Sequence, residues 1–433
     1  MASLEEATVL AAERVESAKA ASTSFAGVSA SARSARVAAL VREAVALLDA
    51  ASAASGADEH SSVVRGAALC VRGVALDLLP TQSSAAVDAL TKAVKLNPSN
   101  ASAWEALGRA NWRRGDLAAA AQALATAASV SGPTQSASLH AARAGVCRAA
   151  TQSCAPSERA ALAEEAVAHA KAGAAAEPAS GAAWYALALA HLSSAFSTSS
   201  ATHDALQPAA RAFAVASRCG SEDGNPDFLY NHAVLLKSLH DYAAAVRAFA
   251  AAGQLDGSLP WREQVSRVCA DVSRIHEAVA SKARLKPKRL ASAAAAAAAA
   301  SAAGALPAGW CFSRASCLRD DPNDRVAVCV TLLAAATRPG AVPPVWVAVD
   351  AGGEAVAVAM HALSEGALKE GDTPTLLAPR RVRVTLDARS EEGGAGACDF
   401  TLLRVDGAAG LLVGGAHPTA HAAPPKLTTR LAA

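Results

Sequence analysis

Residues Ala101 to Ala128 read ASAWEALGRANWRRGDLAAAAQALATAA, and this stretch decides the fold. Gly115-Asp116 breaks it into two halves of helix-forming residues. Trp104, Leu107 and Gly108 share one face of the first half, and Ala120, Leu124 and Ala127 one face of the second. Small residues at Gly108, Ala120 and Ala127 let two antiparallel helices touch. The bulky Trp104, Leu107 and Leu124 fill the seam with a neighbour.

This is the spacing of the tetratricopeptide repeat, a helix pair of about 34 residues. Other frames follow it. From Pro226, Leu229, Asn231, Ala233, Asp241, Tyr242, Ala245, Phe249, Ala252 and Leu255 fall in place. Pro98 closes a repeat with Ala86, Leu90 and Ala93. Pro178 closes another with Ala166, and Gly181 opens one with Trp184, Leu187 and Ala188, interrupted over Ala195 to Ser200. No such repeat buries its apolar face alone, so several must stack. Leu4, Val9, Leu10 and Val15, then Val37, Leu40, Val41, Val45 and Leu48, predict two helices that begin or cap the array. Val265, Val268, Val272, Ile275 and Val279 predict a closing helix within Trp261 to Leu285.

Beyond the alanine run Ala291–Ala303 the period becomes two. Val326, Val328 and Val330 alternate, as do Val345, Val347 and Val349, then Val356 and Val358, then Val382 and Val384, with turns at Asp350–Gly353 and Gly371-Asp372. The expected fold is therefore mainly α, a repeat superhelix followed by a small β-barrel of OB-fold type. The expected divisions are N-terminal helices over 1–60, the solenoid with its closing helix and basic segment over 61–290, an alanine-rich linker over 291–306, and the β domain over 307–433.

A net charge of +2 gives no global attraction to nucleic acid or membrane. The alanine run lacks bulky residues and is flanked by Lys286, Lys288 and Arg289, which argues against a membrane span. Nine cysteines, with no Cys-x-x-Cys pair, point to a reduced cytosolic or nuclear protein without a zinc knuckle. Phosphate-loop, nucleophile-elbow and His-Glu-x-x-His motifs are absent from the sequence. No catalytic residue, cofactor or metal is expected.

Four stretches resemble the Strap-like, tetratricopeptide repeat protein 5 family: Lys92-Ala-Val-Lys-Leu-Asn-Pro98; Trp184-Tyr185 with Ala195-Phe-Ser-Thr198; Asn225-Pro-Asp227 through Asn231; and Ser281-Lys-Ala-Arg-Leu-Lys-Pro-Lys-Arg-Leu290. The resemblance covers roughly residues 60 to 290 well. It implies a solenoid plus an OB-fold and two roles, in cytoplasm and nucleus. One is tubulin autoregulation, in which the protein holds the N-terminal Met-Arg-Glu peptide of nascent tubulin at the ribosome and promotes decay of the messenger with mRNA-decay adaptor proteins. The other is a stress-responsive transcription cofactor working with nuclear acetyltransferase coactivators. A single-stranded nucleic-acid binder acting through the barrel is a third possibility, against which the domain's few aromatic residues (Trp310, Phe312, Trp346 and Phe400) count.

Helix-pair geometry puts Glu105, Arg109, Trp112, Arg113, Tyr185, Asp227, Tyr230, Asn231 and Lys237 on the concave surface. There amides and phenols suit a peptide backbone and charges select its side chains. Arg109, Arg113 and Lys237 equally fit solvated positions, Asp227 equally fits a helix start, and Trp104 and Trp184 fit packing. By resemblance, Arg148 pairs with the peptide's glutamate and Asp227 with its arginine or amine. Arg143 lies near enough to compete for the first role, and a further acidic family position falls near Trp261, with Glu263 two residues on. Lys282, Arg284, Lys286, Lys288 and Arg289 form a basic run with no acid between Glu277 and Asp320. It reads as an RNA contact, which the resemblance places on ribosomal RNA, as a nuclear localisation signal, or as a solvated linker start.

Overall fold

A computed structural model describes residues 3–418 apart from 25–27, 29, 55–59, 80, 82, 198–200, 221, 223, 321–322, 339–342, 362, 364–365 and 388–396. Thr198 of the Ala195-Phe-Ser-Thr motif and the tail 419–433 thus lie outside the described residues.

Among the described residues thirteen helices build the solenoid, as pairs and a closing member. The pairs are α1 (Leu4–Ser22) with α2 (Ala30–Ala54), α3 (Ser62–Asp77) with α4 (Ser83–Leu96), and α5 (Ala101–Arg113) with α6 (Leu117–Ser131). Next come α7 (Ala137–Ala150) with α8 (Arg159–Ala176), α9 (Gly181–Ser197) with α10 (His203–Arg218), and α11 (Pro226–Ser238) with α12 (Tyr242–Leu255); α13 (Trp261–Ala280) closes the series. Polar caps start them where the repeat turns. Asn100 accepts from the Ala103 N–H, Asp116 from Ala119, Ser136 from Leu139 and Asp241 from Ala244.

The repeat spacing has the packing role read from it. Ala86, Ala93, Ala120, Ala127, Ala166, Ala245 and Ala252 are buried where helices touch. A Cβ on Gly108 would lie 2.6 Å from Leu124 Cγ. Alanine there would gain about 1 kcal/mol of helix propensity and lose about 1–3 kcal/mol to overpacking, so glycine is the better residue. Trp104 and Trp184 fill equivalent places, each indole N–H donating at 2.8 Å to the carbonyl of the proline before its repeat, Pro98 or Pro178. Both are packing residues.

The C-terminal strands are β1 (Cys311–Phe312), β2 (Val326–Ala335), β3 (Val345–Asp350), β4 (Ala355–His361), β5 (Thr375–Leu377), β6 (Arg380–Leu386), β7 (Cys398–Asp406) and β8 (Leu411–Leu412). β2, β3 and β4 form an antiparallel meander; β4 pairs in parallel with β7, β7 antiparallel with β6, and β5 antiparallel with β2. Only Ala378 and Pro379 separate β5 from β6, so the two act as one bent strand that closes a five-stranded barrel. This is the OB-fold connectivity.

Both surfaces of the barrel wall are apolar. Val328, Val330, Leu332, Val356, Val358, Met360, Leu403 and Val405 fill the interior. Val345, Val347, Val349, Ala357, Ala359, Phe400 and Leu402 face outward, against Val268, Val272 and Ile275 of α13. Cross-strand pairing sets valine opposite alanine, as in Val347↔Ala357 and Ala348↔Val356, so volume is matched on each face.

The expected linker over 291–306 is helical as far as Ala303. Its alanine run belongs to α14 (Pro287–Ala303), which packs on the barrel through Leu290, Ala293 and Ala294, with Ala297 buried. Thr331 Oγ1 donates to the Ala293 carbonyl at 2.8 Å, an approach that bulky side chains would block. Among the described residues no helix is long and apolar enough to cross a membrane.

Solenoid and barrel also share polar contacts. The guanidinium of Arg404 on β7 is buried; its Nη1 donates to the Ser238 carbonyl at 2.7 Å, its Nη2 to the Ala201 carbonyl at 3.0 Å, and its Nε to Asp406 Oδ1 at 2.7 Å. Asp406 Oδ2 accepts the His203 N–H at the start of α10. The Nε2 atoms of His240 and His361 meet at 3.0 Å, both residues being buried.

Candidate peptide seam and basic edge

Three odd-numbered helices, α7, α9 and α11, bring a polar group together inside an otherwise apolar stack. Arg148 comes from the last turn of α7, Tyr185 from α9, and Asp227 and Asn231 from α11. Asn231 Nδ2 donates to the Tyr185 hydroxyl at 2.8 Å. Burial raises the pKa of that hydroxyl; the charges of Asp227 and Glu222 add to the effect, while the Asn231 hydrogen bond and Arg148 oppose it. Arg148 is 4% exposed, and its Nε has no hydrogen-bond partner among the described residues. Burial pushes its guanidinium down to about 10. The fold thus holds a desolvated cation beside a phenol, an amide and a carboxylate, a set suited to gripping a carboxylate and a peptide backbone.

Asp227 does not cap its helix. Asn225 does, its Oδ1 accepting from the Asp227 and Phe228 N–H groups at 3.0 and 3.2 Å, with Pro226 in the first turn. The Asp227 carboxylate is half-buried. Glu222, which sequence spacing did not single out, is buried next to this group and accepts from Asn225 Nδ2 at 2.7 Å. Its one signal in the sequence is an acid three residues before the cap.

Several other expected groove positions lie in packing or in bonds between repeats. Tyr230 is a core residue, 3% exposed and edge-on to Phe249 at 5.0 Å, because the next helix covers the face that position-counting left open. Asn231 and Tyr185 are likewise buried, in the seam rather than on an open wall. Arg109 is a strut between repeats, bonded to Glu105 at 3.2 Å and to the Ser138 carbonyl and hydroxyl at 2.8 Å. Arg113 pairs with Asp77 in the preceding repeat. Lys237 is half-buried; burial and then Arg267 lower its pKa, and Asp271 opposes them. Arg143 lies with Gln135, His140 and His169 rather than at Tyr185. Trp261 packs on Gly253, and Glu263 pairs with Arg267 at 2.7 Å on an exposed surface.

The basic run forms an edge. Lys282, Ala283 and Arg284 all take left-handed backbone (φ 49°, 53° and 56°), a costly conformation for residues other than glycine. The turn sends Ala283 and Leu285 into the barrel–helix core and leaves Lys282, Arg284, Lys286, Lys288 and Arg289 exposed. Among the described residues only Arg284 of the five meets an acid, Glu277.

The OB-fold face that reads oligonucleotides is the outer surface of its second and third strands. Here those strands are β3 and β4, and that surface is buried under α13. The barrel's conventional nucleic-acid site is therefore closed by the protein itself.

Residues 81–136 match the tetratricopeptide repeat, and residues 312–425 match the tetratricopeptide repeat protein 5 OB fold domain. The chain resembles the tetratricopeptide repeat protein 5 family. Tetratricopeptide repeat protein 5 of Mus musculus is 31% identical over 234 residues, covering 54% of this chain and 52% of that one. The Homo sapiens protein of the same name is 30% identical over 231 residues, covering 52% and 50%. The chain spans about half the length of the tetratricopeptide repeat protein 5 relatives it matches. Among solved structures, a thermophilic tetratricopeptide repeat protein of Thermus thermophilus is 16% identical with a TM-score of 0.40, covering 47% of this chain and 98% of that one.

Proposed function

We propose that this protein is a non-catalytic adaptor that holds the N-terminal peptide of nascent tubulin in the α7–α9–α11 seam while its basic edge meets ribosomal RNA, and so promotes decay of the tubulin messenger. The Arg148 guanidinium carries the reading: it is buried, and its Nε is without a hydrogen-bond partner among the described residues. The cost of stripping water from a cation is met in folding, so an incoming carboxylate finds a partner already desolvated. In this reading Arg148 takes the peptide's glutamate and Asp227 its arginine or terminal amine. The resemblance to the tetratricopeptide repeat protein 5 family supports the choice of peptide.

The test is the affinity of a Met-Arg-Glu peptide for the full chain. Arg148→Ala, and Arg148→Met, which preserves packing, are each expected to weaken binding by about 30-fold or more, as is Asp227→Ala. Wild-type affinity in the Arg148 and Asp227 variants rejects the seam as the site. For the basic edge, Lys286→Glu with Lys288→Glu should remove the protein from the ribosome fraction on sedimentation, and the wild-type association should weaken steeply with salt. Undiminished co-sedimentation of that variant rules out the RNA contact.

A further inference from the structure

A second cluster of chemically active side chains lies between α7 and α8. Cys147 on α7 and Glu165 and His169 on α8 present a sulfur, a carboxylate oxygen and a ring nitrogen that all lie within 4.8 Å of one another. Glu165 Oε1 and His169 Nε2 are 3.4 Å apart. A tetrahedral zinc ion with bonds of about 2.0–2.3 Å sets its ligand atoms about 3.3–3.6 Å from each other. The carboxylate and imidazole therefore already stand at coordination distance, and the thiol needs only a small side-chain rotation. The geometry points to a zinc site made by Cys147, Glu165 and His169, with a fourth position open to water.

Three features favour it. The scaffold is rigid: Ala163, Ala166, Ala170 and Ala174 are buried along α8, and a Cβ on Gly173 would lie 3.1 Å from His140 Cβ, so the two helices cannot slide freely. The donors are accessible, Cys147 and His169 being half-buried and Glu165 exposed. The charges balance, because a thiolate and a carboxylate neutralise one dication. Arg143, one turn before Cys147, is bonded to Gln135, its Nη1 lying 3.5 Å from Gln135 Oε1. His140 stands beside His169 with ring centroids 6.3 Å apart, outside the ligand set.

Sulfur and imidazole donors select zinc over magnesium or calcium. Binding exchanges the thiol proton for the metal: the S–H bond of Cys147 breaks, a zinc–sulfur bond forms, and one proton passes to solvent for each ion bound. Helix pairing alone brings these ligands together, which is why cysteine spacing along the chain carries no zinc signature. The site does not depend on the peptide reading.

The test uses the metal-free full chain and Co²⁺ as the spectroscopic probe. One equivalent should give a thiolate-to-cobalt charge-transfer band with tetrahedral ligand-field absorption, displaced by Zn²⁺, with release of one proton per ion. Cys147→Ser should abolish the band and the proton release, and His169→Asn should weaken binding by about 100-fold, while Cys317→Ser, an exposed cysteine elsewhere, changes neither. Should Cys147→Ser fail to fold by circular dichroism, His169→Asn on the accessible side of α8 carries the test. Absence of the band from the wild-type protein overturns the site, and so does its persistence at full strength in either ligand variant.

Discussion

Arg404→Ala is expected to destabilise the protein by about 3–5 kcal/mol and to free the barrel from the last helix pairs. Truncation leaves the Ser238 and Ala201 carbonyls without the donors they now have, and deprives the buried side of Asp406 of its cation. Position adds to the effect. Ser238 ends α11, where a cation is favoured, and Asp406 sits at the first N–H of α10, where an anion is. Arg404 and its partner Asp406 together thus satisfy two helix ends from one strand. Arg404→Lys keeps the charge but not the planar fork, so a smaller loss is expected. Urea unfolding followed by tryptophan fluorescence, together with limited proteolysis between α10 and β7, measures both effects. A wild-type midpoint and cleavage pattern in Arg404→Ala refutes the assignment.

Acid should act at the same interface. His240 Nδ1 lies 2.8 Å from the Tyr242 hydroxyl, and its Nε2 lies 3.0 Å from His361 Nε2, a gap with room for a single proton. Burial, then Arg404 and His203, hold His240 down to about 3. Burial, then Arg404, His240 and His203, hold His361 well below the usual imidazole range. Both are depressed in the folded state, so their contribution is full above about pH 6.5, where unfolded histidine is neutral, and is lost as pH falls below it. Each costs about 1.4 kcal/mol per pH unit in that window, so the pair should remove roughly 3–4 kcal/mol between pH 6.5 and 5. The urea midpoint at pH 7.5 and at pH 5 checks this, with His361→Asn as the variant whose profile should flatten. An acid-insensitive wild-type midpoint defeats the idea.

The solenoid was legible because its constraints are local. Trp104, Gly108 and Leu124 must recur at set distances if two helices are to touch, and Trp184 repeats the Trp104 hydrogen bond. Strand alternation at Val345 to Val349 and at Val356 to Val358 was legible for the same reason. What lies on the other side of each strand was not, since valine alternating with alanine is apolar on both faces. The alanine run announced a helix without saying what it packs on, and its lack of bulk suggested a spacer when it answers to the closeness of β2. In the seam, counting helix positions gave directions from one axis and could not foresee that Phe249 would occupy Tyr230. The buried pair of His240 and His361, 121 residues apart, leaves no periodic trace at all.

Helix α13 has one further consequence. Trp261 and Val265 at its start join the core of α11 and α12, while Val268, Val272 and Ile275 join the barrel, and the basic turn begins two residues after its end. The seam and the cationic edge therefore stand like the jaws of a locked calliper: whatever occupies one is held at a set reach from whatever occupies the other. Adding one helical turn to α13, about 5.4 Å, would reset that reach and leave the chemistry of both jaws untouched.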